Sequence, residues 1–541
     1  MNLENYLSKI LTPWRIFFLA LIIMIPMILM ENIPARDIAL RYAPMADAFA
    51  RRDWEYAFHP RIPVLHPLLA GIVAAITGCG GFMACKLISG LFYALTVFPA
   101  YALYKQLFDR STALLGTLMT VLCSHLIRLG YSGLRESIKE FAIVLGVYAL
   151  VTVYRDRNRR SGYFYGVLAF ILLALCRVDS VLFSLLLIIA ILVCGFRKQN
   201  HSRWIWRFLG CGIVASAMLT PSLIYNYHTI GYPVPEIRMG IILDKSVPQL
   251  HNKDALFDIH RKEVNPETAD IPQAKEAPLP ASADKKEIEV KIKNYLESII
   301  DGFYPFFLVL AIPVIILRIR KKQWQPTETL VLGALLVHTL LVLLQILIFD
   351  HTLYVSTRYL TPAAPLSFGW AAQGIIIGVN SLTHRYPNVI TPVRVGLVAS
   401  VAGMLLLLDA WEPLIKDFTS PEKSRERQAT LCIAQWIKND FHDRTSGQIR
   451  QRSWEYYLSN RSPVVYCQEL AVVGYLAGGQ NFNRKYPLPP DYIIIEDQPN
   501  SEQTDPISIF EKKYCFPDSK SIPAHELTIN GSVYRIFRRE K

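Results

Sequence analysis

Charged side chains are scarce in this chain, 19% of its 541 residues against 52% hydrophobic, and mean hydropathy is positive at +0.26. So apolar a balance excludes both an ordinary soluble domain and a disordered chain, and points to a protein mostly embedded in a membrane. No CxxC pair and no HExxH occurs, so no dedicated zinc site is indicated. The C-terminal region has neither a Gly-rich phosphate loop nor a nucleophile elbow, which leaves it without assignable chemistry. No internal repeat is evident, whereas transporters are often built from matching halves. Nine cysteines divided between apolar spans and polar segments argue against a disulfide framework. Cys432, Cys467 and Cys515 share the tail, where oxidising conditions permit one bridge and leave one thiol over.

What the chain has in quantity is apolar runs. A helix needs about 20 such residues to cross the hydrocarbon core, and about eleven candidate stretches occur. They are 14–30, 81–104, 112–128, 136–153, 163–176, 179–195, 208–225, 303–317, 329–349, 361–379 and 395–410. The first is followed by no small-residue cleavage site and reads as an uncleaved helix. Lys and Arg near span ends are retained on the cytoplasmic side, and YRDRNRR (154–160), FRKQNHSRWIWR (196–207) and RIRKKQ (318–323) fall on the side of the N-terminus. Asp37, Glu136 and the 226–300 loop fall opposite, and an odd span count puts the tail there too. The net charge of +13 is therefore largely an orientation signal, with contact to anionic membrane lipids second, and no evidence for nucleic acid binding.

Three segments lie on that outer side. In 31–80, Tyr42, Met45, Ala46, Phe49 and Ala50 recur at helical spacing and Pro44 suits a first helical turn, which predicts a helix on the membrane surface. The 226–302 loop passes through AKEAPLPASADKKEIE, too polar to bury a core, into a candidate amphipathic helix, KKEIEVKIKNYLESII. The tail, 411–541, predicts a small α/β domain: a helix in SRERQATLCIAQWIKNDF, strands in PVVYC and DYIIIED, and a hairpin of LTI and VYRIF around Asn530-Gly531. Residues 1–410 form the membrane domain.

Asp37 carries the most information about function. It follows the first span directly and opens RDIALRYAPMADAFARRDWEYAFHPRIPVLHP, so a carboxylate stands at the bilayer surface beside aromatics and an Arg-Pro turn. Other charges also stand at predicted outer helix ends: Arg135 and Glu136 in GLRESIKEF, Arg177 and Asp179 in CRVDS, and Arg358 in STRYLTP. Charges gather at helix ends because one at the midplane costs about 2.5–3.5 kcal/mol on insertion scales, and Arg177 and Asp179 are read that way. Asp37 and Glu136 adjoin aromatic-rich outer segments and are not needed to set topology, so both are read as functional. Tyr42 and Trp54 suit either sugar stacking or the commoner use of interfacial aromatics as anchors. His59 and His66 lack further ligand spacing and read as packing residues more than as metal ligands. Asn226 and Tyr227 either line a cavity or cap a helix end.

The order of ARDIALRYAPMADAFARRDW, HPRIPVLHPLLAG and GLRESIKEFAIVLGVYAL, with LLALCRVDS, TPSLIYNYHTIGYPVP and STRYLTPAAPL behind them, resembles the GT-C superfamily. These are polytopic glycosyltransferases that use polyprenyl-phosphate sugars, and the likeness is strongest to bacterial relatives of protein O-mannosyltransferases and lipid A aminoarabinose transferases. It covers roughly residues 10–410. It implies a GT-C-like polytopic α-helical membrane protein and an inverting transfer from a polyprenyl-phosphate sugar donor to a lipid, glycan or protein acceptor. The setting it implies is the outer face of a cytoplasmic (inner) membrane. Two features depart from the pattern. Many relatives place Tyr four residues after the Asp, whereas Asp37 precedes Tyr42 by five, and Arg61-Ile-Pro63 stands where relatives often carry Lys-Pro-Pro. An Arg contact in place of Lys preserves charge but alters geometry.

The chemistry suits these residues. An acceptor hydroxyl is a weak nucleophile, so a carboxylate in hydrogen-bond reach, Asp37, serves as candidate base. The departing phosphate needs cations, for which Arg61 is the first candidate, with Arg135 and Arg358 behind it. Glu136 resembles the family's second acidic position, which orients the acceptor, shares the base role or helps hold a divalent cation. No cofactor is required by the sequence. A transporter or lipid flippase of similar span count is the alternative reading, and a non-catalytic GT-C-like scaffold the third.

Overall fold

The computed structural model describes residues 11–35, 37–58, 62–156, 159–196, 201–230, 285–303, 305–349 and 357–385, then short helical pieces between 403 and 439 and five strands between 464 and 538. Helix α1 (Pro13–Met30) starts at Thr12, whose hydroxyl accepts from the Arg15 N–H at 3.2 Å, and Pro13 fills a first-turn position that needs no donor. Trp14, Phe18, Ile22, Ile25 and Leu29 form an exposed apolar stripe, while Ile16, Ala20, Met24 and Met27 are buried on the opposite face. Lipid on one side and packed helices on the other require this division.

A π-turn (Ile38–Tyr42) leads into α2 (Ala43–Arg51) and the short α3 (Trp54–Ala57). Pro44 lies in the first turn of α2, and Tyr42, Met45, Ala46 and Phe49 face inward, as the spacing predicts. Helix α4 (Leu65–Thr77) packs on α2. Helix α5 (Gly81–Leu95) abuts α2 so closely that a Cβ on Gly81 would stand 2.2 Å from the Ala43 carbonyl oxygen. Asp47 Oδ1 accepts from the Gly81 N–H at 2.7 Å and fixes that approach. Lys86 of α5 donates at 2.6 Å to the carbonyls of Ile28 and Glu31, capping the end of α1 from which the chain turns toward Asp37.

Helix α6 (Val97–Leu107) continues α5. Helices α7 (Arg110–Leu122) and α8 (Ser124–Tyr131) form one apolar stretch bent by 54° at Cys123. A break in apolar surroundings frees carbonyls that need donors, and the Tyr93 hydroxyl donates to Val121 O there. Gly133 takes a left-handed conformation (φ +77°) just ahead of Arg135, and a Cβ on it would press on Lys86. The turn delivers Arg135 and Glu136 to the start of α9 (Glu136–Arg155), the most enclosed of the helices.

There follow α10 (Arg160–Ala174), α11 (Val178–Phe196), α12 (His201–Ile230), α13 (Lys285–Gly302), α14 (Pro305–Arg320) and α15 (Pro326–Phe349), of which α10, α11 and α15 pack on α9. Two 3-10 turns, Thr357–Tyr359 and Thr361–Ala363, enter α16 (Pro365–Arg385) with a bend of 62°. Tyr104 of α6 fastens that bend by donating to Pro365 O. In the first turn of α15, Glu328 is fully enclosed and accepts from Arg318 Nε at 2.8 Å, Arg318 Nη2 at 2.9 Å, Trp370 Nε1 at 3.0 Å and the Gln325 N–H at 2.9 Å. That network ties α14, α15 and α16 together.

Among the described residues four helices are long and apolar enough to cross a membrane, or up to seven if each bent pair is one span, with three shorter apolar helices beside them. The protein is a helical, polytopic membrane protein. Of the spans predicted from the sequence, 395–410 falls largely outside the described residues, as does 231–284 of the predicted 226–302 loop. The amphipathic segment closing that loop is α13.

In the tail, β1 (Val464–Cys467) pairs in parallel with β2 (Gln480–Asn481) and β3 (Tyr492–Asp497), and β5 (Ser532–Arg538) pairs antiparallel with β3 and β4 (His525–Ile529). The order is β2-β1-β3-β5-β4. Ile529 pairs with Ser532, leaving Asn530-Gly531 as the two-residue connection that sequence predicts. Residues 430–437 are helical, with Ile433, Ala434 and Ile437 buried. Cys432 is exposed with a free thiol, and Cys515 lies outside the described residues.

Candidate active site

Four separate chain segments bring charge to one end of the bundle. Asp37 leads the π-turn, Arg135 and Glu136 open α9, Arg177 sits between α10 and α11, and Arg358 lies in the first 3-10 turn. Arg41 Nη1 donates to Asp37 Oδ1 and Arg358 Nη1 to Asp37 Oδ2, both at 3.1 Å, so each carboxylate oxygen faces a guanidinium. The Asp37 side chain is 30% exposed. Burial opposes its ionisation, but Arg358 and Arg41 outweigh burial and hold the carboxyl below its ordinary value.

Glu136 is almost fully enclosed, and Arg177 Nη1 donates to its Oε1 at 3.2 Å. Among the described residues its Oε2 has no partner. Tyr359 joins the two halves of the cluster, because its ring lies 4.2 Å from the Arg177 guanidinium and 5.3 Å from that of Arg358. Arg135 lies 5.5 Å from the Tyr42 ring, and Tyr42 packs edge-on against His66. The His66 ring in turn shares a 3.2 Å hydrogen bond with Ser89, whose hydroxyl donates to the Leu134 carbonyl. The net result is two carboxylates among four guanidinium groups. Arg135 and Arg358 each keep a buried Nε without a partner among the described residues, which leaves donors free for an anion.

Of the sequence-predicted residues, Asp37, Glu136, Arg135, Arg358 and Tyr42 thus meet. Tyr42 is buried, not an exposed anchor. Trp54 is 58% exposed at the rim, 6.3 Å from Phe49, which packs on Phe58 and through it on Tyr225. Asn226 is buried and Tyr227 exposed against His228. His59, Arg61 and the side chain of Asp179 lie outside the described residues. Sequence reasoning missed Arg41, Tyr359 and the burial of Arg177 against Glu136. Only the first had a local signal, the Asp37–Arg41 spacing of four residues. It also passed over Glu140, one turn beyond Glu136, fully buried with neither oxygen paired among the described residues.

Among the described residues no three His, Cys, Asp or Glu side chains come together, and both carboxylates already face guanidinium groups.

The fold has counterparts among solved structures. ArnT from Cupriavidus metallidurans in the apo state is similar with a TM-score of 0.50 at 12% identity, over 86% of this chain and 84% of that one. The Archaeoglobus fulgidus oligosaccharyltransferase in complex with Zn and sulfate gives a TM-score of 0.45 at 11% identity, over 88% of this chain and 67% of that one. The same organism's oligosaccharyltransferase AglB, in complex with an inhibitory peptide and a dolichol-phosphate, gives 0.42 at 13%, over 89% and 69%. No curated protein matches the chain. The fold of the chain is thus a helical, polytopic membrane fold similar to that of ArnT. Residues 59–225, under a third of the chain, match the family model described as dolichyl-phosphate-mannose-protein mannosyltransferase.

Proposed function

We propose that this enzyme transfers a sugar, with inversion, from a polyprenyl-phosphate carrier to a hydroxyl-bearing lipid, glycan or protein acceptor at the outer face of the cytoplasmic membrane. The observation that carries this reading is the convergence of Asp37 and Glu136 with Arg41, Arg135, Arg177 and Arg358 at one end of the helices. The acceptor oxygen attacks the anomeric carbon, Asp37 takes the proton, and the bond from that carbon to the phosphate oxygen breaks. The carrier phosphate leaves as an anion and needs no proton, because Arg135 and Arg358 stabilise the charge that develops on it. Arg61 is assigned to the same phosphate, a role that rests on its place in the sequence alone. Glu136, with Oε2 unpaired among the described residues, orients the acceptor hydroxyl. Tyr42, Trp54, His59, Asn226 and Tyr227 are assigned to the surrounding cavity, and residues 411–541 to an outer α/β domain.

The test is transfer of labelled sugar from a panel of polyprenyl-phosphate donors into membrane extracts, comparing wild type with Asp37→Asn at matched expression. Signal from one donor that vanishes in the variant supports both the reaction and the base. Equal signal in both removes Asp37 from that role and turns attention to Glu136. Transport of a lipid-linked sugar without transfer would replace the enzyme reading with that of a flippase.

A further inference from the structure

Arg358 has two claims on it. It holds one oxygen of Asp37 at 3.1 Å, and it is also one of two arginines in the cluster with a buried Nε, unpartnered among the described residues, to offer an anion. A base whose two oxygens both accept from guanidinium groups is poorly placed to take a proton from an acceptor. Arg41 occupies the other oxygen from the same helical turn, four residues on, so that contact is local. Arg358 reaches Asp37 from a chain segment more than three hundred residues away, on a 3-10 turn that precedes a bend of 62°.

We propose that the donor phosphate draws Arg358 away from Asp37, so that binding of the lipid-linked donor itself frees the base, while Arg41 stays behind as a positioning residue that holds the carboxylate in place. The inference rests on the donor-phosphate reading given above and adds an order to it. The donor enters first, and Asp37 is competent toward the acceptor only afterwards. Before the donor arrives, the ion pair keeps the base occupied, and an acceptor bound alone is not deprotonated. Arg358 moves between two anions without leaving the Tyr359 ring, whose centroid is 5.3 Å from its guanidinium.

The experiment is equilibrium binding of a short-chain polyprenyl phosphate to the full-length protein in detergent micelles, where no turnover occurs. Arg358→Gln and Arg135→Gln are expected to weaken binding. Asp37→Asn is expected to tighten it roughly fivefold, the effect of releasing one partly exposed ion pair. Removing a negative charge near an anion would tighten binding by itself, so the decisive comparison is a double-mutant cycle. The exchange requires the tightening to disappear when Asp37→Asn is made together with Arg358→Gln, and to persist when it is made with Arg41→Gln. Tightening that survives Arg358→Gln, or no tightening at all in Asp37→Asn, overturns the exchange and leaves the donor site standing. Failure of Arg358→Gln and Arg135→Gln to weaken binding overturns the donor site and the exchange with it. Asn keeps the shape of the Asp37 side chain, and Arg41→Gln serves as the control for folding within the cluster.

Discussion

The Glu136–Arg177 pair gives a test of the cluster that is independent of any substrate. The two side chains are 3% and 4% exposed and stand 3.2 Å apart. Two unit charges at that distance attract by about 5 kcal/mol at an effective dielectric of about 20. Desolvation offsets much of this, so the pair as a whole adds little, whereas removing one partner strands the other and costs about 3–5 kcal/mol. Arg135 and Arg358 also attract Glu136, which puts Arg177→Met at the lower end, about 3 kcal/mol. The double variant Glu136→Gln with Arg177→Met should recover most of that loss and fall within about 1 kcal/mol of wild type. Unfolding in mixed SDS and detergent micelles, followed by the fluorescence of the nine tryptophans, supplies the four corners of the cycle. If Arg177→Met alone leaves stability within about 0.5 kcal/mol of wild type, the pair is not buried as described and the argument fails.

Three further outcomes follow from the same geometry. Asp37 in the free enzyme is held below its ordinary value by Arg358 and Arg41 against burial. The stability linked to its ionisation is therefore present above the unfolded value, about 3.9, and fades as pH falls through the lower folded value. If the donor removes Arg358, the acid limb of kcat lies at higher pH than that of kcat/KM, and coincident limbs would refute the exchange. Glu328→Gln breaks the fully enclosed network with Arg318 and should cost about 3–5 kcal/mol, measured by the same unfolding assay, while leaving binding of polyprenyl phosphate unchanged. Glu140→Leu replaces a fully buried carboxyl whose oxygens are unpaired among the described residues, and should stabilise the protein by about 1–3 kcal/mol; destabilisation on unfolding would reveal a partner for it.

Apolar length and basic loops made the helical, membrane-embedded character legible in the sequence, because both are properties of contiguous residues. The hairpin at Asn530-Gly531 was legible for the same reason. Asp37, Arg135, Glu136 and Arg358 stood out because each follows or precedes a span, and placing them at one end requires only that spans alternate in direction. Pairing was not legible. Arg177 reads from its own neighbours as a charge at a helix end, yet its partner is 41 positions away and its ring contact, Tyr359, further still. The bend at Cys123 was hidden as well, since an apolar run broken and re-satisfied by the Tyr93 hydroxyl has the composition of a straight one.

The network around Glu328 has a mechanical meaning. It joins the last turn of α14, the first turn of α15 and the sixth residue of α16, with Trp324 and Trp370 stacked 5.9 Å apart beside it. A clasp of buried, hydrogen-bonded charge resists separation of the helices it joins, because parting them would strand its charges. Tyr104 holds the Pro365 carbonyl just ahead of Trp370, so α16 is moored within its first two turns and the 3-10 turns that carry Arg358 hang from a fixed root.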